Sequence, residues 1–141
     1  MKLLAMYLSH YFPRKITLFL VLFILELGIG YSYADESTQD ITLRCGWFDN
    51  PSPNNAWLND KDGEWTVSIQ GGHQAKGEWP QFKRLQWVRT GSGSYGYGCV
   101  CMKVRANAES QEIIQIISAA AKPLSACRQD KVLKEPENPL K

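Results

Sequence analysis

Four cysteines constrain the fold of this 141-residue chain more than any other feature of its sequence. They are Cys45, Cys99, Cys101 and Cys127. An even number in a small exported domain predicts two disulfides, because such a domain buries too little surface to be stable without them. A Cys99–Cys101 bond is disfavoured, since residues two apart in a strand are well separated and so small a loop would be strained. Cys45 therefore pairs with either Cys99 or Cys101, and Cys127 with the other.

Residues 1–34 predict a cleaved secretory signal peptide. Three basic residues and no acid lie within residues 1–15, an apolar run covers residues 16–25, and small residues at positions 32 and 34 mark a cleavage site. A membrane anchor is the alternative, but it needs about 20 apolar residues, and Glu26 ends this run well short of that length. We therefore expect a periplasmic or secreted protein with no stable membrane anchor after cleavage.

The mature chain is long enough for one domain and carries no net charge. Its 107 residues contain 13 Lys or Arg and 13 Asp or Glu. The longest cationic run is Lys83-Arg84, whereas a nucleic-acid-binding protein needs a basic stripe to neutralise phosphates. We predict a single disulfide-bonded β domain over residues 35–133, a flexible tail over residues 134–141, a monomer, and no nucleic-acid partner.

Alternating apolar and polar residues between turn sequences predict β-strands over most of residues 41–105. Asp62-Gly63, between two such segments, is typical of a hairpin. The predicted fold is mostly β, a small antiparallel sheet or open barrel stapled by two disulfides. The alternative is an α+β fold with a helix at about residues 111–121. Four isoleucines within residues 113–117 favour a strand there, because β-branched side chains lose rotamers in a helix.

The mature sequence offers little for catalysis or metal binding. His73 is its single histidine, no Gly-x-Ser-x-Gly nucleophile motif is present, and the cysteines are assigned to disulfides. A four-thiolate zinc site would present Cys-x-x-Cys pairs, and the acids of residues 60–62 do not fit the template of a calcium loop. We therefore predict no catalytic residue, no metal site and no cofactor.

Aromatic residues interleaved with glycines are the most informative functional signal. All five tryptophans lie within residues 47–87, and we expect about three of them in the core and one or two exposed. Flat aromatic rings stack on sugars or bury at protein interfaces, and glycines allow a ligand to approach closely. The candidate contact residues lie in or beside the glycine-rich segments: His73, Gln74, Trp79, Tyr95 and Tyr97.

Gly96 and Gly98 alternate with tyrosines in the longest predicted strand, so they leave bare backbone on one strand face. Glycine in a strand costs roughly 0.5–1 kcal/mol relative to alanine, and two at alternate positions indicate that something packs closely there. We expect a tryptophan ring, from Trp87 or Trp65, to fill this space.

Four segments together resemble a known family of exported bacterial domains of unknown function, number four thousand and eighty-seven. They are Arg44–Pro51, Gln70–Pro80, Tyr95–Cys101 and Pro123–Asp130, and the resemblance covers about residues 42–133. The resemblance implies an exported protein of Gram-negative bacteria. It implies no activity and no catalytic residue.

The sequence therefore favours a non-enzymatic exported binding domain, with a protein partner or an envelope glycan as its ligand. The alternative is a small periplasmic hydrolase that uses His73 as its base, with Ser94 or an acid.

Overall fold

The computed structural model describes residues 40–140, so the predicted signal peptide lies outside the described residues. This part of the chain is mostly β, as predicted. Its elements are β1 (Ile41–Ser52), β2 (Asn55–Asp60), β3 (Gly63–Ser68), β4 (Trp87–Arg89), β5 (Gly96–Asn107), β6 (Glu112–Ala121) and α1 (Leu124–Gln129), with a 3₁₀ turn at Arg84–Gln86 before β4. None of its helices is long and apolar enough to cross a membrane.

The six strands form one mixed sheet in which five strands close into a ring. β1 pairs antiparallel with β2 through residues 46–52 and with β5 through residues 41–50. β3 follows β2 in a hairpin, β6 follows β5, and β6 meets β3 in parallel at Thr66 and Glu112. Hairpins connect β1, β2 and β3, and β5 lies beside β1, so these four strands make a Greek key. With β6 as the fifth strand, the ring has the small-barrel architecture of OB folds. This architecture serves many functions and therefore assigns none.

The glycine-rich segment of residues 70–77 completes the ring where β3 and β6 diverge. The Ala75 amide donates to the Val67 carbonyl, at 2.9 Å. On the other side, Lys76 exchanges backbone hydrogen bonds with Ile114 and Ile116, at 2.9 and 2.7 Å. Gly77 has φ +100°, and a Cβ there would lie 2.2 Å from the Ile116 carbonyl oxygen, so only glycine fits. The predicted loop of residues 70–77 thus bridges the two strands of the barrel.

Alternation along β5 divides the apolar residues between two faces. Val100, Met102 and Val104 point into the barrel, whereas Tyr97 and Cys99 face a smaller cluster outside it, covered by α1. The outer cluster also contains Trp47 and Cys127. The buried barrel core consists of Phe48, Ala56, Leu58, Trp65, Val67, Val100, Met102, Val104, Ile113 and Ile116.

Both predicted disulfides are present, and the structure shows which cysteines they pair. Cys45 bonds Cys101, its direct partner across the β1–β5 ladder, and Cys99 bonds Cys127. The first bond links two barrel strands, and the second fixes α1 against the outer face of β5. Two disulfides with no free cysteine indicate an oxidising, non-cytoplasmic environment.

The segment around residues 111–121 is the strand β6, so the helical alternative is wrong. Ile113 and Ile116 are buried in the barrel, and the register shift against β5 between Arg105 and Ala106 lets both point inward. Pro123 ends the strand as predicted. The sequence analysis missed α1, because six residues do not display a helical period.

The burial of the tryptophans differs from the expectation of about three in the core and one or two exposed. Trp47 and Trp65 are buried, Trp57, Trp79 and Trp87 are half-buried, and no tryptophan of residues 40–140 is fully exposed. Trp65 lies under Arg44, whose guanidinium carbon is 3.5 Å from the ring centroid. Arg44 also pairs with Asp60 at 2.6 Å, and this carboxylate accepts the Trp65 indole N–H at 3.1 Å.

The space beside Gly98 is filled by Phe82 and not by a tryptophan. A Cβ at Gly98 would lie 2.5 Å from the Phe82 ring and 2.6 Å from the Gln86 carbonyl oxygen. At Gly96 a Cβ would lie 2.1 Å from the Val88 carbonyl oxygen and 2.8 Å from the Trp87 indole nitrogen. The expectation of close packing is confirmed, and Trp87 borders Gly96. Assigning the Gly98 site to a tryptophan was wrong, because the chain after Pro80 brings Phe82 over it.

Replacing Gly96 or Gly98 by alanine should destabilise the domain by about 1–3 kcal/mol, because backbone atoms of β4 and of the preceding turn must move. Thermal or urea unfolding measures this loss. Gly91→Ala is the matched control, since a Cβ there meets nothing within 4 Å. Equal stability of all three variants would contradict the packing found here.

The two disulfides should differ in their resistance to reduction. Cys45 is exposed and Cys101 half-buried, whereas Cys99 and Cys127 are only 3% and 2% exposed. A small thiol should therefore reduce Cys45–Cys101 first, since attack requires access to a sulfur. Alkylation of the native protein after mild reduction, read by mass spectrometry, should label Cys45 and Cys101. Unfolded protein, in which all four label together, is the control. Equal labelling in the native state would contradict the prediction.

Candidate functional site

A cluster of aromatic rings closes one end of the barrel. We call Phe48, Trp79, Phe82 and Trp87 the aromatic mouth. Phe48 contacts Trp79 edge-on with ring centroids 5.6 Å apart, and Phe82 lies between Phe48 and Trp87 at 6.0 and 4.7 Å. Phe48 is buried in the core, but the other three rings are only half-buried. The mouth therefore combines packing against the core with ring surface exposed to solvent.

These rings line a groove of about 580 Å³. Small-ligand sites in proteins typically enclose about 300–1,000 Å³ and combine apolar walls with a few polar groups. The groove fits that description. Its polar lining comes from Asn50, Gln81, Lys83, Arg84, Arg89 and Ser94.

Local hydrogen bonds hold the chain that forms the groove. The Lys83 amide donates to Gln86 Oε1 at 3.1 Å, which steadies the 3₁₀ turn. The Gln86 side-chain amide donates to the Ala121 carbonyl at 3.3 Å, so the turn is tied to the end of β6. The Trp87 indole N–H donates to the Ser94 carbonyl at 3.1 Å. These bonds therefore hold the 3₁₀ turn and the Trp87 ring in place before any ligand arrives.

The charge of the groove is entirely positive. Lys83, Arg84 and Arg89 are exposed, and no carboxylate lines the groove with them. Among residues 40–140, none of the three cations forms an ion pair. Their charges are available to a ligand.

A second hollow, on the outer face of the barrel, has the opposite charge. Its lining includes Asp49, Glu64, Glu135 and Glu137, with Lys134 as its one cation. Burial, followed by the negative charge of Glu64, raises the pKa of Asp49 above its ordinary value. This hollow therefore repels anions.

The predicted contact residues do not form one site. Trp79 lines the groove, whereas Tyr97 is 1% exposed and packs against Trp47 in the outer cluster. Tyr95 is half-buried, and its carbonyl accepts a hydrogen bond from Thr90 across the β4–β5 turn. His73 and the exposed Gln74 lie at the junction of β3 with the closing segment.

His73 has a structural contact. Its Nε2 lies 2.8 Å from the Ile113 carbonyl oxygen, and its Nδ1 lies 4.0 Å from Glu112. Ser94, its proposed partner in a hydrolase, lines the groove, and His73 does not. No group of His, Cys, Asp and Glu within residues 40–140 has the arrangement of a metal site.

The sequence analysis missed most of the groove. Phe82, Lys83, Arg84 and Arg89 were not selected, and Trp87 was assigned to packing alone. A signal was present in the run from Trp79 to Arg89, which contains three aromatic residues and three cations within 11 residues. Several glycines beside the predicted contact residues, such as Gly77 and Gly96, serve close backbone approach within the barrel.

The model of one protein family matches residues 39–134, from just before β1 to beyond α1. The chain belongs to the family of proteins of unknown function DUF4087. The match confirms the resemblance seen in the sequence, and it shows that the DUF4087 domain includes the whole barrel, the aromatic mouth and both disulfides. No curated protein and no solved structure matches the chain.

The stability of the DUF4087 domain should depend on Tyr97 at alkaline pH. Burial, then its hydrogen bond to Glu135 at 2.9 Å, raises the pKa of Tyr97 from 10.0 to about 12. Between these values the folded protein retains a proton that the unfolded chain releases, so the free energy of unfolding falls as the pH rises. Urea unfolding between pH 9 and about 12 should show this slope. It should be weaker in Tyr97→Phe. Identical slopes for the parent protein and this variant would contradict the prediction.

Proposed function

We propose that this chain is a non-enzymatic binding domain that works in the periplasm or outside the cell. Its contact surface is the aromatic mouth with the groove beside it, and its ligand is a component of the cell envelope. The observation that carries the proposal is three half-buried rings, fixed by local packing, that line a groove of about 580 Å³. Preorganised aromatic side chains supply contact area at low entropic cost.

Two independent features support export. Residues 1–34 have the basic, apolar and small-residue regions of a signal peptide. All four cysteines lie after this segment and are paired in the described domain. Disulfides persist in oxidising compartments, so both features favour the periplasm or the exterior.

Binding is better supported than hydrolysis. A general base must reach the proton that it removes, but His73 Nε2 is occupied by a backbone carbonyl at 2.8 Å. The groove itself contains no carboxylate and no histidine. What it does contain, rings, amides and cations, suits recognition of a ligand.

Trp79→Ala tests the contact surface. Binding to isolated peptidoglycan is measured by co-sedimentation, and binding to envelope proteins by retention on a column that carries the purified domain. Removing a central aromatic contact should weaken binding by about tenfold or more. Trp57→Ala is the matched control, because Trp57 is also half-buried but lies outside the groove. Unchanged binding by Trp79→Ala, or no binding by the parent protein, would refute the proposal.

His73→Ala separates the binding domain from the alternative enzyme. The variant should lose about 0.5–1.5 kcal/mol of stability, since a hydrogen bond to a backbone carbonyl is removed, and should bind envelope material as the parent does. A hydrolase that depends on the single mature histidine would instead lose all turnover. Thermal melting and the co-sedimentation assay measure the two properties. A folded variant without binding would count against our assignment.

A further inference from the structure

The charge of the groove narrows the class of ligand that it can hold, provided that it is the binding surface proposed above. Lys83, Arg84 and Arg89 place three cations around a site with no carboxylate in its lining. Elsewhere in the described domain, Arg44 and Arg128 pair with Asp60 and Glu135, at 2.6 and 2.7 Å. Within residues 40–140, the groove is thus a local concentration of positive charge without ion-pair partners, although the mature chain carries no net charge.

Two of these cations are arginines, which bind planar oxyanions better than lysine does. A guanidinium donates two parallel hydrogen bonds to a carboxylate, and it remains charged at all physiological pH values. Arg84 lies in the 3₁₀ turn and Arg89 at the end of β4, so the backbone of both is fixed by hydrogen bonds. Such an arrangement fits an anionic group held at the rim of the groove.

The remaining lining fits the body of a sugar. Trp79 and Trp87 offer flat apolar surfaces of the kind that stack on pyranose rings. Gln81 and Ser94 add an amide and a hydroxyl group that can both donate to and accept from sugar hydroxyls. The Asn50 amide nitrogen is not available, because it donates to the Ser52 and Asn55 carbonyls, at 2.8 and 3.0 Å. A groove of about 580 Å³ has the size of a small-ligand site. A stable protein interface buries about 800 Å² per partner, which requires a broader surface than this groove.

We propose that the groove binds a short stretch of a carboxylated polysaccharide. The sugar rings lie against the aromatic mouth, and a carboxylate is held by Arg84 and Arg89, with Lys83 contributing charge. The acidic hollow on the outer face directs such a ligand away from that side of the barrel.

The test compares trigalacturonic acid with its fully methyl-esterified form, in which uncharged methyl esters replace the three carboxylates. Binding to the full-length mature protein is measured by titration calorimetry and by tryptophan fluorescence. The acid should bind about tenfold more tightly than the ester, and raising the salt concentration should remove this difference. Monomeric galacturonic acid should bind more weakly than the trisaccharide.

Single-residue variants show which side chains distinguish the acid from the ester. Arg84→Gln and Arg89→Gln should each lower the affinity for the acid about tenfold and leave the affinity for the ester unchanged. Trp79→Ala should weaken binding of both probes. Lys103→Gln, an exposed cation on the outer face of β5, is the matched control and should bind both probes as the parent does.

Three outcomes would overturn the inference. Equal affinity for the acid and the ester would show that the groove binds sugars but does not recognise their carboxylates. The proposed binding function would then stand. Tighter binding of an acidic peptide or of a single-stranded oligonucleotide at the same groove would assign the site to another class of ligand. Retention of envelope components in the Trp79-dependent assay, without binding of either trisaccharide, would reject the saccharide and keep the binding domain.

Discussion

The pairing of β1 with β5 is the interaction on which the rest of the structure depends. Ten residues of β1 pair with β5 while its later half also pairs with β2. One strand therefore joins the N-terminal hairpins to the C-terminal hairpin and closes the barrel. The same register sets Cys45 against Cys101 and Trp47 against Cys99. It thereby fixes one disulfide directly and places Cys99 where α1 supplies Cys127.

Closing so small a barrel requires backbone to approach backbone, and glycines make this possible. Gly46 and Gly77 lie where a Cβ would meet a neighbouring carbonyl oxygen, at 2.1 and 2.2 Å. Gly98 instead makes room for the ring of Phe82. The absence of a side chain at Gly98 lets an aromatic residue from outside the ladder pack at the end of the barrel. The aromatic mouth is thus a consequence of how the barrel is closed.

Segregation of charge gives the two faces of the domain different chemistry. Cations line the groove at the mouth, whereas carboxylates line the hollow between the outer face and residues 132–137. Glu135 joins the chain beyond α1 to the outer cluster, because it accepts hydrogen bonds from Tyr97 and Arg128. A net charge near zero therefore conceals two surfaces that attract opposite kinds of ligand.

The sequence by itself determined the local features of this protein: the period-two strands, the Asp62-Gly63 hairpin, β6 and the use of all four cysteines in disulfides. These follow from residue-by-residue preferences that do not depend on distant contacts. Only the tertiary structure decided what depends on register. It paired Cys45 with Cys101, buried Tyr97, placed His73 against the Ile113 carbonyl and brought Phe82 over Gly98. Of the predicted contact residues, Trp79 alone lines the groove. Tyr97 is buried because strand register decides which face of β5 a side chain occupies, and that register depends on the pairing with β1.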